Sequence, residues 1–299
     1  MSERSSVRRR EWWGLAALVL FTLMATAGYW NFALHPERLP GNPLALRFYT
    51  VSFRFFAQIH ILLSAVALGV VLLGRLRLRW VPSLLAVYGL AFLSEHVGTG
   101  YGVPFGGYAY TGLLGAKLGG RVPVLIPLSW FLMSVPAFVV ARAAHPGSRW
   151  RRVGLAALML VVWDLALDPA MSFLTPYWVW EDSGPYYGMP WVNLLGWFLT
   201  GAAIMSALEA LAARTGLGTL PVAWMAAFYL AILLMPVGML LAAGHVLAVG
   251  VTAAGVGACA FLARRGLRPA GFPGEVEAAS GGEPSRREEP AGRALVGAP

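Results

Sequence analysis

Apolar runs of about twenty residues recur along the whole chain, and each is long enough to cross the hydrocarbon layer of a bilayer. They fall at roughly 12–33, 55–74, 80–97, 122–142, 153–174, 190–213, 220–240 and 244–263. The stretch from Leu220 to Ala263 is too long for one helix, and Gly244-His245 is the expected turn that splits it. A chain with 58% hydrophobic and 12% charged residues, and a mean hydropathy of +0.64, cannot hide this surface in one water-soluble core. The sequence therefore predicts an all-α membrane bundle of about eight transmembrane helices. The first run follows basic residues, as a signal peptide would, but it ends in Tyr29-Trp30-Asn31 rather than in small residues. It is expected to be a retained helix.

The net charge of +9 does not point to nucleic acid, because the basic residues sit in short clusters between the apolar runs. Arg8, Arg9 and Arg10 precede the first span. Arg75, Arg77 and Arg79 lie between the second and third, and Arg142, Arg149, Arg151 and Arg152 between the fourth and fifth. Arg214 follows the sixth, and Arg264, Arg265 and Arg268 follow the eighth. These alternate segments fall on one side, so both termini are expected in the cytoplasm of a multi-pass cell-membrane protein. Arg38, Arg47 and Arg54 in the first outer loop run against that bias. The expected organisation is a short cytoplasmic segment (1–11), a catalytic bundle (12–264) and a disordered cytoplasmic tail (265–299) rich in Gly, Pro, Ser, Glu and Arg.

Two outer loops are unusual. Gly98 to Val122 carries Tyr101, Pro104, Phe105, Tyr108 and Tyr110 among many glycines, and Thr175 to Met189 carries Tyr177, Trp178, Trp180, Tyr186 and Tyr187. An interfacial aromatic belt accounts for any one of these residues. Two such loops on one face also suit the cap of a pocket for a long apolar ligand. A duplication is suggested as well: Pro123 and Pro190 are each followed seven residues later by the same triplet, Trp130-Phe131-Leu132 and Trp197-Phe198-Leu199. Such a parallel repeat of spans three–four and five–six would place two acid-bearing helices around a common axis.

Of fourteen acidic residues, four lie within spans: Glu95, Asp164, Asp168 and Glu209. A charged side chain there costs about 2.5–3.5 kcal/mol on insertion scales, which makes each a functional candidate. Glu209, near the inner end of its span and close to Arg214, is expected to form an interfacial ion pair. The other three converge in the outer half of the bilayer. Asp164 and Asp168 are one turn apart on one helix face. Asn193, His60 and His96 fall at similar depth, while Asn31 reads as interfacial. The bland alternatives are a polar helix break at Asp168-Pro169 and packing roles for His60 and His245. Removal from water disfavours a charged carboxyl, and a second carboxylate close by disfavours it further. A pair one turn apart can thus hold one proton at neutral pH, as general acid catalysis requires. An acid facing an apolar pocket suits protonation of an alkene, and aromatic faces stabilise a carbocation.

At these residues the chain resembles the CruF-type carotenoid hydratases, which include carotenoid 1',2'-hydratases and bacterioruberin-pathway hydratases. The resemblance is carried by Glu95-His96-Val97-Gly98, by Gly102-Val103-Pro104-Phe105-Gly106-Gly107-Tyr108-Ala109-Tyr110, and by Val122 through Trp130. It continues in Trp163-Asp164-Leu165-Ala166-Leu167-Asp168-Pro169-Ala170-Met171, Trp178-Val179-Trp180, Gly184 through Pro190, and Asn193-Leu194-Leu195-Gly196-Trp197. It covers roughly residues 45 to 245. It implies addition of water across the terminal double bond of an acyclic carotenoid end group, giving a tertiary alcohol. Its partners would be a membrane-dissolved carotenoid such as lycopene or gamma-carotene, water, the lipid bilayer and other enzymes of that pathway. The matching motifs make Asp164, Asp168 and Glu95 the catalytic candidates. They make Asn193, His96, Tyr108, Trp130, Trp163, Trp180, Tyr186, Tyr187 and Trp197 the substrate-binding candidates.

Three rival readings stay open. A prenyltransferase would use Asp164-x-x-x-Asp168, but it needs enough oxygen ligands for Mg²⁺ and diphosphate, and no second aspartate-rich motif is present. A carotene cyclase also begins by protonating an alkene. A proton-coupled transporter would use the same acids. Hydration is redox-neutral, the five histidines form no paired motif, and the single Cys259 excludes an intramolecular disulfide or a multi-cysteine metal site. No metal, nucleotide or redox cofactor is expected.

Overall fold

In a computed structural model, residues 2–267 are described, and the expected tail lies, from residue 268 onward, outside them. Eight helices are long and apolar enough to cross a membrane. They are α1 (Ser2–Gly28), α2 (Pro43–Leu76), α3 (Val81–Tyr101), α4 (Leu125–Ala144), α5 (Arg149–Asp168), α6 (Trp191–Thr215), α7 (Val222–Ala242) and α8 (Val246–Leu267). π-helical turns extend two of them: Tyr29–Ala33 continues α1, and Pro169–Leu174 continues α5. Local sequence explains several ends. Asn42 caps α2, its side chain accepting from the Ala45 amide at 2.8 Å, with Pro43 in the first turn. Gly102 closes α3 with φ +73°, a left-handed conformation that costs glycine little.

α4 and α5 form the centre. Their spans are 72% buried within the bundle, against 22% for the spans of α1 and α8 at its margin. α5 packs on α4, α6 and α8, while α3 lies against α4 and α6. The apolar side chains of α4 surround it on all sides, with Trp130, Met133 and Phe138 all fully buried. A helix apolar around its whole circumference belongs in the middle of a bundle.

Two features differ from the sequence expectation. The first outer loop is short, because α2 begins at Pro43 and carries Arg47 and Arg54 within the helix. Thirty-four residues make a helix of about 50 Å, longer than the hydrocarbon layer of about 30 Å. The two arginines therefore ride on the part that reaches the interface, where their heads stay in water. The second difference concerns Glu209, which pairs with Arg152 at 2.7 Å and Arg142 at 3.2 Å rather than with Arg214. Five residues along a helix turn Arg214 about 140° away from Glu209, whereas the α4–α5 hairpin brings both other arginines to it.

One end of the bundle is tied by these cations. Arg75 makes a two-point contact with the buried Glu11 at 2.7 and 2.9 Å, and Arg79 donates to the Arg214 carbonyl at 3.1 and 3.2 Å. The opposite end is closed by the aromatic loops, which are not irregular. β1 (Tyr108–Tyr110) pairs antiparallel with β4 (Trp178–Trp180), joining the α3–α4 loop to the α5–α6 loop. β2 (Lys117–Leu118) and β3 (Val122–Pro123) form a second short pair. Phe105 wedges this cap into the helices. A Cβ added to Gly98 on α3 would lie 2.8 Å from the Phe105 ring, and one added to Gly196 on α6 would lie 2.6 Å from it. Only glycine leaves room at these two notches.

Candidate active site

The period-two pattern of the cap builds the site. In the antiparallel register Tyr108 faces Trp180 and Tyr110 faces Trp178. Alternate residues of a strand share a face, so all four aromatic side chains turn to the same side. There they meet α3, α4, α5 and α6. The resulting cavity is lined by these four residues together with Glu95, Asp164, Asp168, Asn193, Trp130 and Trp197. Its volume is about 40 Å³, enough to admit water.

Glu95, Asp164, Asp168 and Asn193 are all buried, and the hydrogen bonds are divided unevenly among them. Glu95 Oε1 accepts from Trp130 Nε1 at 2.9 Å. Its Oε2 accepts from the Tyr110 hydroxyl at 2.7 Å and from the Tyr108 hydroxyl. Asp168 Oδ1 accepts from Ser172 Oγ at 2.7 Å and Trp180 Nε1 at 3.0 Å, and its Oδ2 accepts from Trp178 Nε1 at 3.3 Å. Asp164 differs. Its Oδ2 accepts from Asn193 Nδ2 at 2.7 Å, while Oδ1 is buried with no partner. No ion pair among the described residues reaches any of the three carboxyls. Each is held by neutral donors, and one oxygen of Asp164, a residue that lines the cavity, has no partner.

Burial first, and the Glu95 carboxyl second, raise the Tyr108 and Tyr110 phenols well above the ordinary tyrosine range. Both phenols stay protonated at neutral pH and act as donors. Trp130 and Trp197, the tryptophans of the repeated triplets, stack with ring centroids 4.2 Å apart and planes inclined by 22°. Lined by indole and phenol faces, the site suits a transient cation. Among the described residues, no group of three or more His, Cys, Asp or Glu side chains is placed to hold a metal ion.

The sequence candidates separate in space. Glu95, Asp164, Asp168, Asn193, Tyr108, Trp130, Trp180 and Trp197 line the cavity. Trp163 lines an adjoining cavity of about 70 Å³, which shares Ile126, Ser129, Leu167 and Trp178 with the first. His96, Tyr186 and Tyr187 line neither. His96 lies tilted against Phe92 beside Gly119, the Tyr186 hydroxyl donates to the Leu165 carbonyl at 2.8 Å, and Tyr187 lies edge-on to His245. Tyr110, Trp178 and Phe105 also line the cavity. Reading Tyr108-x-Tyr110 and Trp178-x-Trp180 as facing strands would have found the first two.

A family model described as "Carotenoid biosynthesis protein" matches residues 56–258, a stretch that contains every residue of the cavity. The bisanhydrobacterioruberin hydratase of Haloarcula japonica is 34% identical over 172 residues, covering 56% of this chain and 55% of the relative. The chain thus spans about half the length of the curated relative it matches. No solved structure matches.

The donor arrangement predicts a graded loss of stability. Tyr110→Phe removes one of three donors to Glu95 and should cost about 1 kcal/mol. Glu95→Ala strands three buried donors and should cost at least about 3 kcal/mol. Thermal unfolding in detergent micelles, followed by tryptophan fluorescence, tests the order. If Glu95→Ala unfolds no earlier than Tyr110→Phe, the carboxyl is not what holds the cap down.

Proposed function

The chain belongs to the carotenoid biosynthesis protein family, and from that premise we propose that it hydrates the terminal double bond of an acyclic carotenoid end group. The observation that carries the reading is the buried, unpartnered oxygen Oδ1 of Asp164, a residue that lines a water-sized cavity walled by indoles, phenols and two further carboxyls. The likeness to a relative named as a hydratase supports the reaction class.

The step balances without a co-reactant. The Asp164 carboxylic acid gives its proton to the less substituted alkene carbon, and positive charge develops on the tertiary carbon. Facing aromatic rings and the second carboxyl stabilise that charge. Water adds to the tertiary cation, and the oxonium returns a proton to the carboxylate. The product is a tertiary alcohol, and the acid is restored. Asp168 and Glu95 already have both oxygens engaged by donors, so they serve as fixed negative or dipolar walls rather than as the group that reaches the alkene.

Expression in lycopene-producing bacteria tests the reaction. The pigment should gain the mass of one water at each end that reacts, with the hydroxyl on the tertiary carbon. Unchanged lycopene in membranes that contain the protein would overturn the reading. An isomer of unchanged mass would point to cyclisation, in which an internal alkene rather than water quenches the cation.

Asp164 and Asp168 should act as a unit. Asparagine keeps the volume of either side chain, but at Asp164 it cannot deliver the proton of a carboxylic acid, and at Asp168 it removes the carboxyl wall that tunes that donor and faces the cation. Each single variant should therefore lose about 10²–10⁴-fold in product formed per membrane-inserted protein. The double variant should be little worse than the poorer single one. Near-wild-type turnover in both singles would remove the pair from the mechanism and leave Glu95 as the next candidate.

We place the bundle (12–264) in the cell membrane with the arginine-tied end and both flanking segments in the cytoplasm, on the charge bias of the loops. The aromatic cap is then external. Reporter fusions after Arg77 and after Ser183 should report opposite sides, and the same side for both would refute this orientation.

A further inference from the structure

The water-sized cavity at the carboxyls cannot hold a carotenoid, so the rest of the substrate has to lie elsewhere. An apolar groove of about 300 Å³ lies between the π-helical end of α1 and the first turns of α2. That volume lies at the lower end of the range for ligand pockets, about 300–1,000 Å³. Gly28 and Phe32 form one wall, and Ala45 and Phe48 the other. Phe32 and Phe48 are 39% and 56% exposed, which opens the groove sideways to lipid.

The groove adjoins the site through shared walls. Tyr177 and Met235 line both the groove and the adjoining 70 Å³ cavity. That cavity in turn shares Ser129, Leu167 and Trp178 with the carboxyl cavity. His60 Nε2 and Trp163 Nε1 are buried without partners on residues that line the middle cavity. Buried polar atoms without partners are costly, and these two offer hydrogen bonds to the attacking water or to the tertiary hydroxyl it becomes. The neck is formed by a tyrosine held in place, its hydroxyl donating to the Phe53 carbonyl at 2.8 Å, and by a methionine. A methionine side chain rearranges easily to let a ligand pass.

We propose that the groove between α1 and α2 seats the linear polyene of the substrate, whose terminal isopropylidene passes between Tyr177 and Met235 to reach Asp164. The chemical identity of the ligand rests on the hydration reading; the position of the groove does not. The polyene slides in from the bilayer past Phe32 and Phe48. Part of it stays in lipid, since the groove holds only a few isoprene units. Water remains in the inner cavity, separated from the bulk by the aromatic cap.

Gly28 provides the test, because a Cβ added there would meet nothing within 4 Å, and its helical φ of −64° accepts any residue. Gly28→Trp fills the groove without touching a carboxyl. It should lower hydrated product per membrane-inserted protein by about 10-fold or more. The variant should unfold at the wild-type temperature. In parallel, an acyclic isoprenoid hydrocarbon with one intact isopropylidene end and a diazirine at the other should photolabel peptides 24–33 or 43–56 of the wild-type protein. Wild-type rates in Gly28→Trp, or labelling confined to other helices or absent, would overturn the groove. The labelling decides the matter if Gly28→Trp fails to insert. Labelling in the groove without any hydrated product would keep the groove and reject the hydration reading.

Discussion

Glu95, Asp164 and Asp168 are buried inside an apolar bundle, and the surrounding structure is arranged to supply them with donors. A buried carboxyl without hydrogen bonds costs several kcal/mol, and helix backbones have no spare amide donors to give it. The donors have to be side chains brought in from outside the helices. The β1–β4 ladder does this, delivering two phenols to Glu95 and two indoles to Asp168 from a single strand pair. Trp130 from α4, Asn193 from α6 and Ser172 after α5 complete the set. The cap and the carboxyls depend on each other. Without the carboxyls the donors would be stranded, and without the cap the carboxyls would be unsatisfied.

The two ends of the bundle solve the problem of charge differently. At one end, Glu11 and Glu209 are matched directly with arginines. At the other, three carboxyls meet only neutral donors. A paired cation would fix the negative charge of a carboxyl and leave it unable to carry a proton at neutral pH. Neutral donors hold the group in position and leave protonation to the surroundings. That difference separates the ion pairs that tie helices together from the acids available for chemistry. The short spans of glycine at Gly98 and Gly196 serve the same end, since they let Phe105 sink between α3 and α6 and bring the ladder down on the acids.

Much of this was legible in the sequence. Eight apolar runs fixed the class of fold, because a length near twenty residues and the need to satisfy backbone groups in lipid leave little else than a helix. Acids in those runs are rare enough that position and spacing alone singled out Glu95, Asp164 and Asp168 and put them at one depth. His96, Tyr186 and Tyr187 belong to the same motifs as the cavity residues, yet they line neither the carboxyl cavity nor the one beside it. Helical periodicity gave no warning of β1 and β4, which are only three residues long.

The sequence by itself determined that this chain lives in a bilayer, which ends of its helices carry the cations, and which few acids lie at membrane depth. These follow from local composition and from the fixed rise of a helix. The tertiary structure alone decided which carboxyl oxygen is left without a partner. Asp164 and Asp168 are alike in sequence, one turn apart on α5, yet Asp168 is enclosed by Ser172, Trp178 and Trp180 while Asp164 keeps a free Oδ1. That difference arises from the register of two strands contributed by loops some seventy residues apart. Long-range pairing of that kind is set by how the whole bundle closes, and no local pattern encodes it.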